Sequence, residues 1–221
     1  MESLIAFISD PDNNFLGHTL SYLELCGLSI LIAMLIGILL GIIVARNAVL
    51  AFVAVNLSGM LRAIPIIVFL IAALPVLGTG FTPALLALIV LGIPPILLNT
   101  YTGIRGIDPA VIDAARGMGM TGGQIIGRIQ LPLVLPIVAA GIRTAAVQIV
   151  ATATLAAIIG AGGYGEYILY GVNQFNTTAI LAGALPVTVL ALLIEVLMGQ
   201  LQRYLTPVGL RIQDQPAASR A

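Results

Sequence analysis

Hydrophobic residues run along this chain in long blocks, and the few polar positions between them mark the boundaries. No charged residue interrupts the stretch between Glu24 and Arg46, which is rich in Leu and Ile. An apolar run of roughly 18 residues or more predicts a transmembrane helix, so residues 25–45 form a first span, approached from about His18. The next apolar block, 48–74, contains Arg62 and Pro65. It reads as one kinked span or as an interfacial piece leading into one; a single kinked span is the expectation adopted. The Gly- and Pro-rich run 75–83 is a turn. A third span covers 84–101, where Pro94-Pro95 should kink or locally break the helix. Residues 133–159 supply a fourth span, and about 178–202 a fifth. The pattern predicts an all-α polytopic membrane protein with five transmembrane helices.

Composition agrees with the pattern. Sixty per cent of the residues are hydrophobic and 8% are charged, against about a quarter charged in a soluble domain. The formal net charge is zero and Lys is absent, which removes the basic surface that nucleic acid requires. Cys26 stands alone in an apolar run, so an intrachain disulfide and a cysteine metal cage are both excluded. The segment before Phe15 carries acidic residues and no Arg, unlike the basic flank of a secretory signal. Membrane insertion must therefore begin with the first span.

The arginines set the orientation. With the N-terminus outside, Arg46, Arg105, Arg116, Arg128, Arg203, Arg211 and Arg220 all fall on the cytoplasmic side, and the outer segments hold only Glu2, Asp10, Asp12 and Glu166. That is the bias of the positive-inside rule. The polar segment 103–132 is then cytoplasmic, and it is strongly punctuated. Asp108 caps a helix that starts at Pro109, and Gly119 fits the position that ends it. Val111, Ala114, Ala115 and Met118 share one side of that helix, with Asp113 and Arg116 on the other. Thr121 and Gln124 form a capping box for a second short helix ending near Leu131-Pro132.

The order Asp113-Ala114-Ala115, three residues, Gly119, nine residues, Ile129-Gln130-Leu131-Pro132 resembles the EAA loop of permease subunits of bacterial ABC importers. Asp113 stands where Glu is more usual, keeping the carboxylate on a shorter stem. The resemblance implies a MetI-like permease fold, type I and dependent on a binding protein, whose two coupling helices dock on an ATPase subunit. Asp108, Asp113, Ala114, Ala115, Gly117, Gly119, Ile129, Leu131 and Pro132 would be the coupling positions. The likeness extends over about 19–204. The strings at 99–104, 114–121, 140–145 and 152–163 narrow it to osmoprotectant permeases, which import glycine betaine, choline, carnitine or related quaternary amines. A permease for an amino acid such as methionine is the alternative within the class, because short five-span permeases serve those too.

The implied partners are a dimer of ABC ATPase subunits, a substrate-binding protein, a second permease subunit and the lipid bilayer. The implied location is the bacterial inner membrane. Lacking Lys, the chain cannot carry a Gly-x-x-x-x-Gly-Lys phosphate loop. It is therefore expected to be no enzyme and to bind no cofactor, with ATP and Mg on the ATPase. A channel or secondary transporter is the rival of a different class, but the internal repeats common in such transporters are not visible here. The expected organisation is an external segment 1–18, a membrane domain 19–204 with its coupling loop at 103–132, and a polar, disordered cytoplasmic tail 205–221.

Within the spans, Arg62, Arg143 and Glu195 are costly charges. Arg143 and Glu195 read as a pair near the cytoplasmic half of the path, or as charges that snorkel or pair only to hold helices together. Thr144, Gln148 and Thr152 recur at helical spacing and, with Asn99 and Thr154, line the path or act as interhelical glue. Tyr164, Tyr167 and Tyr170 share one side of a short outer helix; they read as interfacial anchors in preference to a cation–π cage. The glycines at 160, 162, 163 and 165 permit an irregular, re-entrant segment that could form part of an outer gate.

Overall fold

A computed structural model describes residues 2–206, and among these the ordered elements are all helical. The chain forms α1 (Glu2–Ser9), a 3₁₀ turn (Pro11–Asn13), α2 (Phe15–Ala45), α3 (Ala48–Ala63), α4 (Ile66–Leu77) and α5 (Phe81–Arg105). Then follow α6 (Pro109–Gly117), α7 (Gly122–Ile125), α8 (Leu131–Thr152), α9 (Tyr164–Asn173) and α10 (Thr177–Leu205). The anticipated tail, with Arg211 and Arg220, lies almost entirely outside the described residues.

Helices α2, α5 and α8 make the centre. The face that α2 turns to α5 carries Ser29, Ala33, Gly37 and Gly41, a small residue every fourth position, all buried. Small residues let helix backbones approach closely, which in lipid replaces the hydrophobic drive available in water. At Gly41 an added Cβ would lie 2.5 Å from Thr100 Cβ, and at Gly37 2.8 Å from Ile96 Cβ. On the other flank of α5, a Cβ at Gly141 of α8 would meet Asn99 Cβ at 2.7 Å. Held on both sides, α5 continues as one helix through Pro94-Pro95, whose rings are buried. The local break expected there does not occur, because packing on both flanks outweighs the lost hydrogen bonds.

Among the described residues, four helical segments are long and apolar enough to cross a membrane: Pro11–Ala45, Phe81–Arg105, Gly122–Ile159 and Thr177–Leu205. The second apolar block differs from the single kinked span expected. It is made of α3 and α4, which meet at 92°. Pro65 is the cause: the residue before a proline is pushed out of the helical region, and Ile64 is extended, with ψ 120°. At 1.5 Å per residue the 16-residue α3 and 12-residue α4 are about 24 and 18 Å long, each short of the roughly 30 Å hydrocarbon layer. Together they still join opposite ends of the molecule. α3 begins next to Arg46, while beyond α4 the Gly80 N–H donates to Ile159 O at 2.7 Å.

The 3₁₀ stretch Ala153–Ile159, a turn in which Gly160, Gly162 and Gly163 have positive φ, and α9 form the anticipated irregular segment. It packs on α10 and against the start of α2. The proposed boundary at residue 18 falls inside α2, whose first turn starts at Phe15.

Candidate functional site: the capped helix and the end it faces

The polar segment folds largely as its punctuation dictates. Asp108 Oδ1 accepts from the Ala110 N–H at 2.8 Å, with Pro109 at the first helical position. At the other end the Gly119 N–H donates to Arg116 O and the Met120 N–H to Ala115 O, while Gly119 takes φ 76°. These paired bonds are the Schellman closure of a helix. An added Cβ at Gly119 would find no atom within 4 Å, so the left-handed backbone alone demands glycine there.

The side of α6 expected to be uniformly apolar divides in two. Ala115 is fully buried, whereas Val111, Ala114 and Met118 are exposed, Met118 at 74%. Asp113 and Arg116 form an i,i+3 ion pair at 3.3 Å, both well exposed. Such a pair contributes little stability. What α6 presents to its surroundings is thus a short apolar stripe beside a paired charge.

The capping box of α7 forms as read: the Gln124 N–H donates to Thr121 Oγ1, and the Thr121 N–H to Gln124 Oε1 at 2.9 Å. The helix does not stop at Leu131-Pro132, however. It passes through a π-helical stretch, Ile126–Gln130, directly into α8, and the Leu131 N–H reaches back to Ile126 O. Proline lacks an N–H and its ring crowds the carbonyl four residues back. Widening by one residue at that point accommodates Pro132 without ending the helix. Ile129, Leu131 and Pro132 therefore belong to the continuous segment 122–159, and α6 is the one separate helix of the loop. Gly117 ends α6 and is exposed.

Of the intramembrane charges, Arg143 of α8 and Glu195 of α10 do meet: Arg143 Nη2 donates to Glu195 Oε1, and Nη1 to Gln202 Oε1 at 3.5 Å. Both members are partly exposed, and Gln202 was not anticipated. Arg62 lies apart from them, exposed in the last turn of α3 beside the Pro65 bend.

The polar candidates do not bridge helices. Thr144 Oγ1 donates to Ala140 O, Thr152 Oγ1 to Gln148 O, and Asn99 Nδ2 to Pro95 O, each four residues back on its own helix. Thr154 Oγ1 donates to Ala151 O, also nearby. Hydroxyls engaged this way donate no bond across a helix–helix interface. Thr144 is exposed, and Gln148 and Thr152 are half-buried.

At the opposite end, Tyr164 and Tyr167 are buried, neither anchoring at an interface nor forming an open cage. Tyr164 OH donates to Thr19 Oγ1 at 2.9 Å and Tyr167 OH to Asn13 O at 2.5 Å. Their rings pack with Phe7, Phe15, His18 and Tyr22. His18 also lies 3.5 Å from Glu166. Burial pushes the Tyr167 phenol up to about 12, with the nearby Tyr164 and Glu166 adding to the shift. Only Tyr170 is exposed, as an anchor would be.

Residues 37–207 match the family described as the inner membrane component of binding-protein-dependent transport systems. The chain is 36% identical over 211 residues to the carnitine transport permease protein of Listeria monocytogenes, covering 96% of this chain and 97% of that one. It is 33% identical, over the same shares, to the choline transport system permease protein of Bacillus subtilis. The osmoprotectant import permease protein of Salmonella typhimurium is 34% identical, covering 94% of this chain and 99% of the other. Among solved structures, a chain of the MetNI methionine ABC transporter in an inward-facing conformation superposes with a TM-score of 0.78 at 24% identity, covering 90% of this chain and all of that one.

Proposed function

The chain belongs to the family of inner membrane components of binding-protein-dependent transport systems, and from that membership we propose that it forms the membrane path of an ATP-driven importer for a quaternary-amine osmoprotectant such as glycine betaine, choline or carnitine. ATP and Mg are bound and hydrolysed by separate ATPase subunits, and α6 is where this chain receives their motion. A second permease subunit completes the path, and a substrate-binding protein delivers the cargo.

The observation that carries the coupling role is α6 itself. It is fixed at both ends by capping, set at the arginine-rich end of the molecule, and leaves Val111, Ala114 and Met118 uncovered. Small and flexible apolar side chains on a rigid short helix suit insertion into a groove of another protein. The substrate class is supported by relatives matching nearly the whole chain under carnitine, choline and osmoprotectant names. The methionine transporter shares the fold. Thr144, Gln148, Thr152 and Asn99 are the proposed polar surface of the path; the side chains of Thr144, Thr152 and Asn99 donate to carbonyls of their own helices, not to a neighbouring helix.

Reconstitution in vesicles with the cognate ATPase and binding protein tests this reading. ATP hydrolysis should rise when the binding protein is loaded with glycine betaine, choline or carnitine, and should not rise with methionine. ATP-independent flux through the chain alone would overturn it.

A further inference from the structure

One cavity is lined by no residue of α6 and by none of the polar residues proposed for the path. It is a groove of about 490 Å³ where the ends of α2 and α5 meet the π-helical stretch and the start of α8. Ile38 and Ile42 of α2, Ile104 of α5, and Leu131, Leu135 and Val138 of α8 form its walls. No aromatic and no carboxylate lines it, and its one charged side chain is Arg46. Thr100 in its wall donates its hydroxyl to Ile96 O at 2.8 Å, so the walls are effectively aliphatic.

Depth and charge select the occupant. Residues 25–45 at 1.5 Å each match the thickness of the hydrocarbon layer, so Arg46, just past the end of α2, lies at headgroup level. Its guanidinium has no carboxylate partner among the described residues. The groove runs from there alongside α2 and α8, within the depth of the acyl chains. We propose that it holds one acyl chain of a bilayer phospholipid whose anionic headgroup rests on Arg46. A flexible aliphatic chain fits walls of branched aliphatic residues, and the unpaired cation at the mouth supplies the complement for the phosphate. Ile107, Ile126 and Gln130 also border the groove, so the bound lipid lies under the joint between α5, α6 and α7.

The test uses the full chain in nanodiscs of phosphatidylglycerol and phosphatidylcholine carrying a trace of either lipid with a photoreactive acyl chain, and adducts are mapped by mass spectrometry. Adducts are expected on segments 38–46 and 126–138, with phosphatidylglycerol favoured about fivefold, the size expected of one arginine at an anionic surface. Arg46→Gln should abolish that preference while leaving acyl labelling in place. Leu135→Phe, which narrows the groove, should reduce labelling of these segments for both lipids. Adducts spread only over outward residues such as Leu31 and Leu39, or groove labelling indifferent to headgroup and to Arg46→Gln, would overturn the proposal. Because Arg46 is exposed, its variant tests the site even if Leu135→Phe fails to fold.

Discussion

Gly119 shows how much one residue can decide. Its φ of 76° places any other side chain in the left-handed region at a cost of about 1–2 kcal/mol, and nothing else occupies the space around it. Gly119→Arg should therefore leave membrane insertion and thermal stability of the spans nearly unchanged while weakening ATPase docking. Co-purification and substrate-stimulated ATP hydrolysis measure this, and normal transport by the variant would count against α6 as the coupling element. A second test at this scale concerns Arg143 and Glu195. Either one neutralised leaves a charge facing lipid or a half-buried seam, so each single variant should lower the melting temperature of the detergent-solubilised protein by several degrees. The exchange Arg143→Glu with Glu195→Arg should recover most of the loss. Tyr167 supplies a pH test. Its phenol titrates near 12 when folded and near 10 when unfolded, so folding favours the neutral form. The stability that Tyr167 contributes is full below about pH 10 and is lost as pH rises toward 12. Tyr167→Phe should show less of that alkaline loss in thermal unfolding curves.

Among elements, the ones legible in the sequence are those fixed by bonds between near neighbours. Asp108 with Ala110, Thr121 with Gln124, and Gly119 with Arg116 involve residues at most three apart, so their spacing announces them. The angle at Pro65 was not legible, because proline forces an end to α3 but only the seat of α4 on α5 determines its direction. Likewise nothing local tells that Tyr164 and Tyr167 reach α2, more than a hundred residues earlier in the chain. One readable signal was missed: Gly37-x-x-x-Gly41 within a span marks a close helix crossing. Replacing Gly41 with Val, whose Cβ would lie 2.5 Å from Thr100 Cβ, should destabilise the fold by about 1–3 kcal/mol. Gly59→Val, with no atom within 4 Å of the added Cβ, provides the control in the same unfolding assay.

At the scale of the whole molecule, the arginine asymmetry read from the sequence agrees with the placement of elements. Arg46 and Ile104 share one cavity, and Arg105 and Arg116 another close by, while the tyrosine cluster gathers at the far end. Between the two ends runs the continuous helical segment Gly122–Ile159, which links the neighbourhood of α6 to the Gly160 turn. The two-legged second crossing bears on how the protein is made as well as how it works. Neither α3 nor α4 alone spans the hydrocarbon layer, and α4 packs on α5. The second apolar block is therefore expected to settle fully only once α5 is in place, so a chain truncated before Phe81 should expose residues 48–77 to added protease more than the full chain does.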